Sequence, residues 1–243
     1  METMFLETEA YVREKDVSIK DNIRPSAILD YFQDVAGIHA DILKIGYEDI
    51  IKDNLLWVIL YSEFNVVKRL PIFGEKIKIQ TWPKIKGKLE FHREFQILDS
   101  NNELLVTGIS IFCLINKETR RLERASKVEY IGSYYEKSNY PEKIDRKLLF
   151  NIDNVLKEYD YKVLLTDCDH NLHLNNAKYL DIIYNMQALD LTKKIKKVRI
   201  NFLHEALIDE VIKVKYVKNE YGSDCFIGYV NDNECFTAIY EME

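Results

Sequence analysis

The chain has 243 residues, 47% hydrophobic and 30% charged, with a formal net charge of −6. That balance supports a packed core, in one large domain or two small ones, and argues against disorder and against wholesale nucleic-acid binding. No run approaches the roughly 18 apolar residues a membrane span needs, and the opening Met-Glu-Thr-Met-Phe-Leu-Glu is acidic where a signal peptide is basic, so a cytoplasmic protein without a membrane span is expected.

Gly and Pro are sparse, at 8 and 4, while Tyr and Phe are abundant, at 16 and 11, which favours regular elements with much β structure. Cys113, Cys168, Cys225 and Cys235 have no CxxC spacing and read as free thiols of a reducing compartment.

The first helix signal starts at Pro25, a residue suited to a first helical turn. Ile28, Leu29, Phe32, Val35 and Ala36 follow at helical spacing, and Gly37 weakens the far end. A second short helix is expected near Tyr47–Lys52. Strands follow at Leu55–Val67 around Trp57, at Ile77–Thr81, at Leu89–Leu98, at Leu104–Ile115 and after Thr119. Pro71 and Gly74, Lys86-Gly87 and Asp99–Asn102 supply the turns.

From Gly132 the alternation fades, and residues 136–160 read as a connector with a short helix near its end. A strand at Tyr161–Leu165 follows. Ala177, Leu180, Ile183 and Tyr184 make a second helical stripe, capped by Asn175 or Asn176. Strands are then expected at Lys197–Leu207, Glu210–Val217, Asp224–Val230 and Glu234–Glu241. Each half thus reads as a strand, a helix and about four antiparallel strands. The expected class is α+β: two units in tandem, residues 1–135 and 161–243, each a helix wrapped by an antiparallel sheet.

Residues 167–176, Asp-Cys-Asp-His-Asn-Leu-His-Leu-Asn-Asn, carry the densest chemistry. In an extended backbone Asp167, Asp169, Asn171, His173 and Asn175 would share one side. A capped helix entry explains Asn175 or Asn176, and extends to Asp169, but not Asp167, Asn171 and His173 in phase with them. A metal site is disfavoured, because His170 is out of phase and no second His or Cys cluster appears elsewhere. Cys168 would point away and serves packing. General acid–base chemistry fits best, with imidazole as the proton carrier. Asp169 and His173 would be about 13 Å apart in a straight strand, so either the chain bends, or Asn171 lies between them, or each acts on a different group.

Asp169, Asn171, His173, Asn175 and Asn176, at single-residue spacers before a helix, resemble the Asp-x-Asn-x-His-x-Asn-Asn signature of the acyl-acyl carrier protein thioesterases of bacteria and plant plastids. The stretch from Asn22 to Ala40 resembles that family's opening helix, and Leu56-Trp57-Val58 and Thr81-Trp82-Pro83 resemble two further landmarks. The resemblance implies a double hotdog fold. It also implies a carboxylate in an Arg-Glu-Cys context, matched here by His204-Glu205-Ala206. With Ala206 at the cysteine's place, hydrolysis would have to use Glu205 or a water it activates. In a strand, Glu205 would share a side with Leu203 and Leu207, a costly neighbourhood for a carboxylate unless it is partnered or functional. A strand-end Glu reaching water is the plainer account.

By that resemblance the expected reaction is hydrolysis of the thioester of fatty acyl-acyl carrier protein. Asp169, Asn171, His173 and Glu205 would be the catalytic set, with backbone N–H groups at Asn175 and Asn176 for the oxyanion. No cofactor and no metal are implied. The N-terminal unit would hold the acyl chain, with Trp57 as a lining residue. The partner would be the carrier protein with its phosphopantetheine-linked acyl chain, drawn to a basic patch at Lys193, Lys194, Lys196, Lys197 and Arg199. An acyl-coenzyme A thioesterase, an enoyl-thioester hydratase and a non-catalytic acyl-binding protein are the competing readings. Chain-length preference and oligomeric state, a homodimer among the options, are open.

Overall fold

In the computed structural model, which describes residues 4–169 and 172–243, Pro25 sits in the first turn of an 18-residue helix, α1 (Pro25–Ile42). Gly37 does not end this helix. The apolar stripe of Ile28, Leu29, Phe32, Val35 and Ala36 is buried, and its packing carries the helix past the weak position. The chain divides into two compact units at Ile144 and Asp145.

The first unit contains β1 (Leu6–Tyr11), α1, the short helix α2 (Tyr47–Ile50), and strands β2 (Leu55–Val66), β3 (Lys76–Pro83), β4 (Glu90–Asp99), β5 (Leu104–Asn116) and β6 (Leu122–Glu123). Its sheet is antiparallel in the order β1-β3-β4-β5-β2, with β6 on β5. The helix lies against the sheet: Phe32 stacks on Phe95 of β4 at 4.3 Å between ring centroids. Gly108 permits that approach, because a Cβ there would stand 2.1 Å from the Phe32 ring. Leu6–Tyr11 is the strand expected, without stated bounds, before the first helix. It runs half-buried along the edge of the sheet, with Glu7 and Glu9 on its exposed side.

One polar pair is buried among these apolar groups. Arg93 Nη1 donates to His39 Nδ1 at 2.9 Å and to Thr81 Oγ1 at 3.3 Å. Burial, with the adjacent guanidinium, presses His39 down to about 4, so the imidazole is neutral and Nδ1 is its acceptor. Residues 138–140, expected in the connector, are pinned to this unit. Ser138 Oγ and the Asn139 N–H each donate to Glu94 at 2.7 Å, and Asn65 Nδ2 donates to the Tyr140 hydroxyl at 2.7 Å.

The second unit holds β7 (Lys157–Lys162), α3 (Lys178–Asn185), β8 (Ile195–Phe202), β9 (Val211–Lys218), β10 (Asp224–Val230) and β11 (Asn233–Met242). Its sheet order is β7-β9-β10-β11-β8, the same connectivity as β1-β3-β4-β5-β2. The likeness extends to register. β1 pairs with β3 from Leu6↔Thr81 to Tyr11↔Lys76, and β7 pairs with β9 from Lys157↔Tyr216 to Lys162↔Val211. The helix is two turns long, and its Tyr179 packs edge-on against Phe202 and Phe236.

Two local expectations fail here. The strand expected at Tyr161–Leu165 lies at Lys157–Lys162, where a short helix was expected, and Leu165–Asp167 is a 3-10 turn. The strand expected to reach Leu207 stops at Phe202. Leu203 and His204 both donate to the Cys235 carbonyl, which breaks the ladder and frees the next residues as a loop. Leu203 and Leu207 are therefore exposed, and Glu205 is not a strand carboxylate held between buried leucines.

Candidate active site

The polar stretch is a tight turn, not a straight strand. Asp169 N–H donates to the His173 carbonyl at 2.8 Å and Leu172 N–H to the Asp169 carbonyl at 3.0 Å. Cys168 and Leu174 bridge across the turn. Leu172 takes φ +64°, the left-handed conformation that closes it. The turn replaces the 13 Å of a straight strand with direct contact: the Asp169 carboxylate accepts from the His173 backbone N–H at 3.3 Å. Asn171 and His170 lie outside the described residues.

Asp167 leaves the row. Its carboxylate turns inward, accepting from the Tyr161 hydroxyl at 2.7 Å and from the Leu164 N–H at 3.0 Å. It fastens the 3-10 turn, and its carbonyl accepts from the Asn175 N–H at 3.0 Å.

Glu205 arrives from the loop after β8. Leu174 N–H donates to the Ala206 carbonyl at 2.8 Å, and His173 bridges Leu207. These bonds bring Glu205 Oε1 to 3.4 Å from His173 Nδ1, with the side chains 40% and 26% exposed. A carboxylate and an imidazole from separate segments thus meet at a partly exposed surface, within ion-pair range and slightly beyond a hydrogen bond. Cys168 is no rival nucleophile. Burial, with the Asp167 and Asp169 carboxylates, pushes its thiol up, away from the thiolate.

The first unit contains the same turn without the chemistry. Val17 bridges Ile23 and Asn22 bridges Ile72. Ser18 N–H donates to the Asn22 carbonyl at 2.7 Å, Ile23 N–H to the Pro71 carbonyl at 2.8 Å and Arg24 N–H to the Asp16 carbonyl at 2.9 Å. Asp21 takes φ +59°. Asp16 repeats the inward carboxylate, accepting from Arg13 Nε at 2.7 Å and from the Tyr31 hydroxyl at 2.8 Å. Burial alone would raise the Asp16 carboxyl, but these hydrogen bonds outweigh it and hold the group below its usual range. Ser18 therefore stands where the second unit has Asp169, and Asn22 where it has His173. Leu70 precedes Pro71 as Glu205 precedes Ala206. The backbone scaffold works without acid–base groups, so those groups are additions to it.

The same comparison separates the two amides expected to face an oxyanion. The Asn175 N–H is committed to the Asp167 carbonyl, as the Arg24 N–H is to Asp16. Asn175 Oδ1 accepts from the Ala177 N–H at 2.9 Å, an Asx turn leading into α3, whose N-cap is Ala177 rather than the expected Asn175 or Asn176. Asn176 occupies the place of Pro25. Proline has no N–H, so the fold does not require one there.

Trp57 is half-buried, donates to the Ile45 carbonyl at 2.9 Å, and packs edge-on to Phe91 at 4.7 Å. Lys193 and Lys194 precede β8, Lys196, Lys197 and Arg199 lie within it, and Glu205 follows its end. Arg199 faces Glu241 at 3.5 Å. The Asp167–Tyr161 fastening was missed in the sequence. Its signal was the repeated spacing Val12-x-x-x-Asp16 and Val163-x-x-x-Asp167. Among the described residues, no helix is long and apolar enough to cross a membrane.

Comparison with known proteins bears on the family and the fold. Residues 5–134 match the acyl-ACP thioesterase N-terminal domain and residues 151–238 the C-terminal domain. The chain is 26% identical over 216 residues to a chloroplastic palmitoyl-acyl carrier protein thioesterase of Arabidopsis thaliana, covering 83% of this chain and 52% of the relative. It is 23% identical over 220 residues to the oleoyl counterpart of Coriandrum sativum, covering 83% and 59%. The chain thus spans about half the length of the curated relatives it matches. It superposes on an acyl-ACP thioesterase structure from Bacteroides thetaiotaomicron with a TM-score of 0.86 at 17% identity, covering 99% of this chain and 98% of that one. For the 12:0-ACP thioesterase from Umbellularia californica the TM-score is 0.84 at 18% identity, covering 100% and 98%. The fold is the double hotdog, and with both of its domains matched the chain belongs to the acyl-acyl carrier protein thioesterase family.

Proposed function

We propose that the chain hydrolyses the thioester of fatty acyl-acyl carrier protein, with water as co-substrate and a free fatty acid and the carrier thiol as products. The observation that carries this reading is the 3.4 Å approach of His173 and Glu205, on a scaffold whose first copy does without such a pair. Glu205 takes a proton from water, or attacks the carbonyl directly, and His173 donates to the departing sulfur. Asp169 holds the His173 backbone in the turn. Asn171 orients the water or the imidazole. The Asn176 N–H, at the entry to α3, faces the developing oxyanion.

The N-terminal unit takes the acyl chain, with Trp57 on its wall, and the C-terminal unit carries the catalysis. The carrier approaches with its pantetheine arm, and the basic residues Lys193, Lys194, Lys196, Lys197 and Arg199 attract its acidic surface. A cytoplasmic site of action fits this substrate.

The test is turnover by purified protein on acyl chains of graded length, linked either to carrier protein or to coenzyme A. Faster release from the carrier supports the reading, faster release from coenzyme A supports the alternative thiol carrier, and absence of hydrolysis from both defeats it.

A further inference from the structure

Leucine is a poor choice for a left-handed backbone position, which Gly, Asn and Asp fill at least cost. Yet Leu172 takes φ +64° with its side chain 55% exposed. The first copy of the turn has Asp21 there, at φ +59°. The left-handed leucine is thus peculiar to the copy with the acid–base pair, while exposed apolar side chains occur in both copies, Ile19 and Ile72 in the first.

The neighbouring positions show the same bias. Leu164 and Leu165, both exposed in the 3-10 turn, correspond to Arg13 and Glu14 in the first copy. Leu207, 43% exposed, bridges His173 from the opposite segment. Charged residues satisfy the fold at three of these four places in the first copy, so leucine there serves something other than folding.

From this we infer that Leu172, with Leu207 and the Leu164–Leu165 turn, forms an apolar lip that grips the pantetheine arm beside the thioester, with Leu172 the principal contact. The lip faces outward, so it meets the thiol-carrier half of the substrate. A long acyl chain would be buried rather than held on an exposed lip, because its methylenes gain by leaving water. The arm is common to carrier-protein and coenzyme A thioesters. This inference rests on the hydrolytic reading above.

Leu172→Asn tests it. The variant relieves the backbone and removes the contact, so Tm is expected to hold or rise. KM for acyl-pantetheine, acyl-coenzyme A and acyl-carrier protein is expected to increase about five- to tenfold, with kcat little changed. Leu172→Met should restore KM. An effect confined to the carrier-linked substrate would assign the lip to the carrier protein's own surface and overturn the arm assignment. Unchanged KM on all three, or a lowered Tm that accounts for the loss, would also overturn it. A wild-type protein inactive on every thioester would instead remove the hydrolytic reading, an outcome distinguishable from all of these.

Discussion

His173 Nδ1 and Glu205 Oε1 approach to 3.4 Å although 32 positions separate them in the chain, and two backbone bonds, Leu174 to Ala206 and the His173–Leu207 bridge, hold the segments that carry them together.

Both side chains are partly exposed, so removing either should cost chemistry rather than folding. His173→Ala and Glu205→Ala are each expected to lower kcat by at least about 100-fold, with Tm within a few degrees of wild type. A folded Glu205→Ala protein with full turnover would end the proposed scheme. The two losses should also fail to add in the double variant, because the groups act as a unit.

The backbone amide of residue 176 can be deleted without disturbing its turn. Asn176 occupies the second position of the turn closed by Lys178 N–H and the Asn175 carbonyl at 2.9 Å, a place proline favours, and Pro25 holds it in the first copy. Asn176→Pro should therefore fold normally and lose about 100- to 1000-fold in kcat if this N–H stabilises the oxyanion. Circular dichroism and single-turnover kinetics on the same preparation make the comparison. Retained kcat would exclude the amide.

Tyr161→Phe removes the phenolic donor that Asp167 accepts at 2.7 Å. Stability should fall by about 1–2 kcal/mol, because a largely buried carboxylate loses a partner. Activity should fall as well, since the 3-10 turn loses its fastening. Tyr31→Phe, at Asp16 in the first copy, should cost similar stability, with less effect on turnover. Urea midpoints and kcat for the two variants decide it.

Burial holds His39 down to about 4, against 6.5 in an unfolded chain. Between those pH values the unfolded state binds a proton that the folded state refuses, so stability falls as pH drops through this window. The loss reaches about 3 kcal/mol near pH 4. His39→Gln keeps an acceptor for Arg93 and cannot titrate, so its urea midpoint should change less than that of wild type between pH 7 and pH 4.5. Equal acid sensitivity would show that His39 does not govern this limb.

Lys193→Glu with Lys194→Glu should raise KM for carrier-linked substrate and flatten its salt dependence, while leaving coenzyme A-linked turnover nearly unchanged. Salt-independent KM in the wild type would remove the basic run from carrier docking.

Periodicity made much of the architecture legible before any coordinates. The stripe from Ile28 to Ala36, the alternation at Ile77–Thr81 and the repeated element order specify helices and antiparallel strands, because burial of one face selects the period. The residue types at Asp169, His173 and Glu205 also marked where chemistry was concentrated. Local pattern could not reveal that Asp167 and Asp169 turn opposite ways. That depends on the left-handed Leu172 and on the Tyr161 hydroxyl, one a backbone state disfavoured for leucine and the other supplied by the preceding strand.

What the amino-acid order determined by itself was the class of fold, its duplication and the inventory of reactive groups, since these follow from spacing and side-chain chemistry along the chain. What only the tertiary structure decided was which of those groups meet. The end of β8 at Phe202 and the pairing of Leu174 with Ala206 are set by hydrogen bonds between distant segments, and no period in the sequence encodes a contact between two loops.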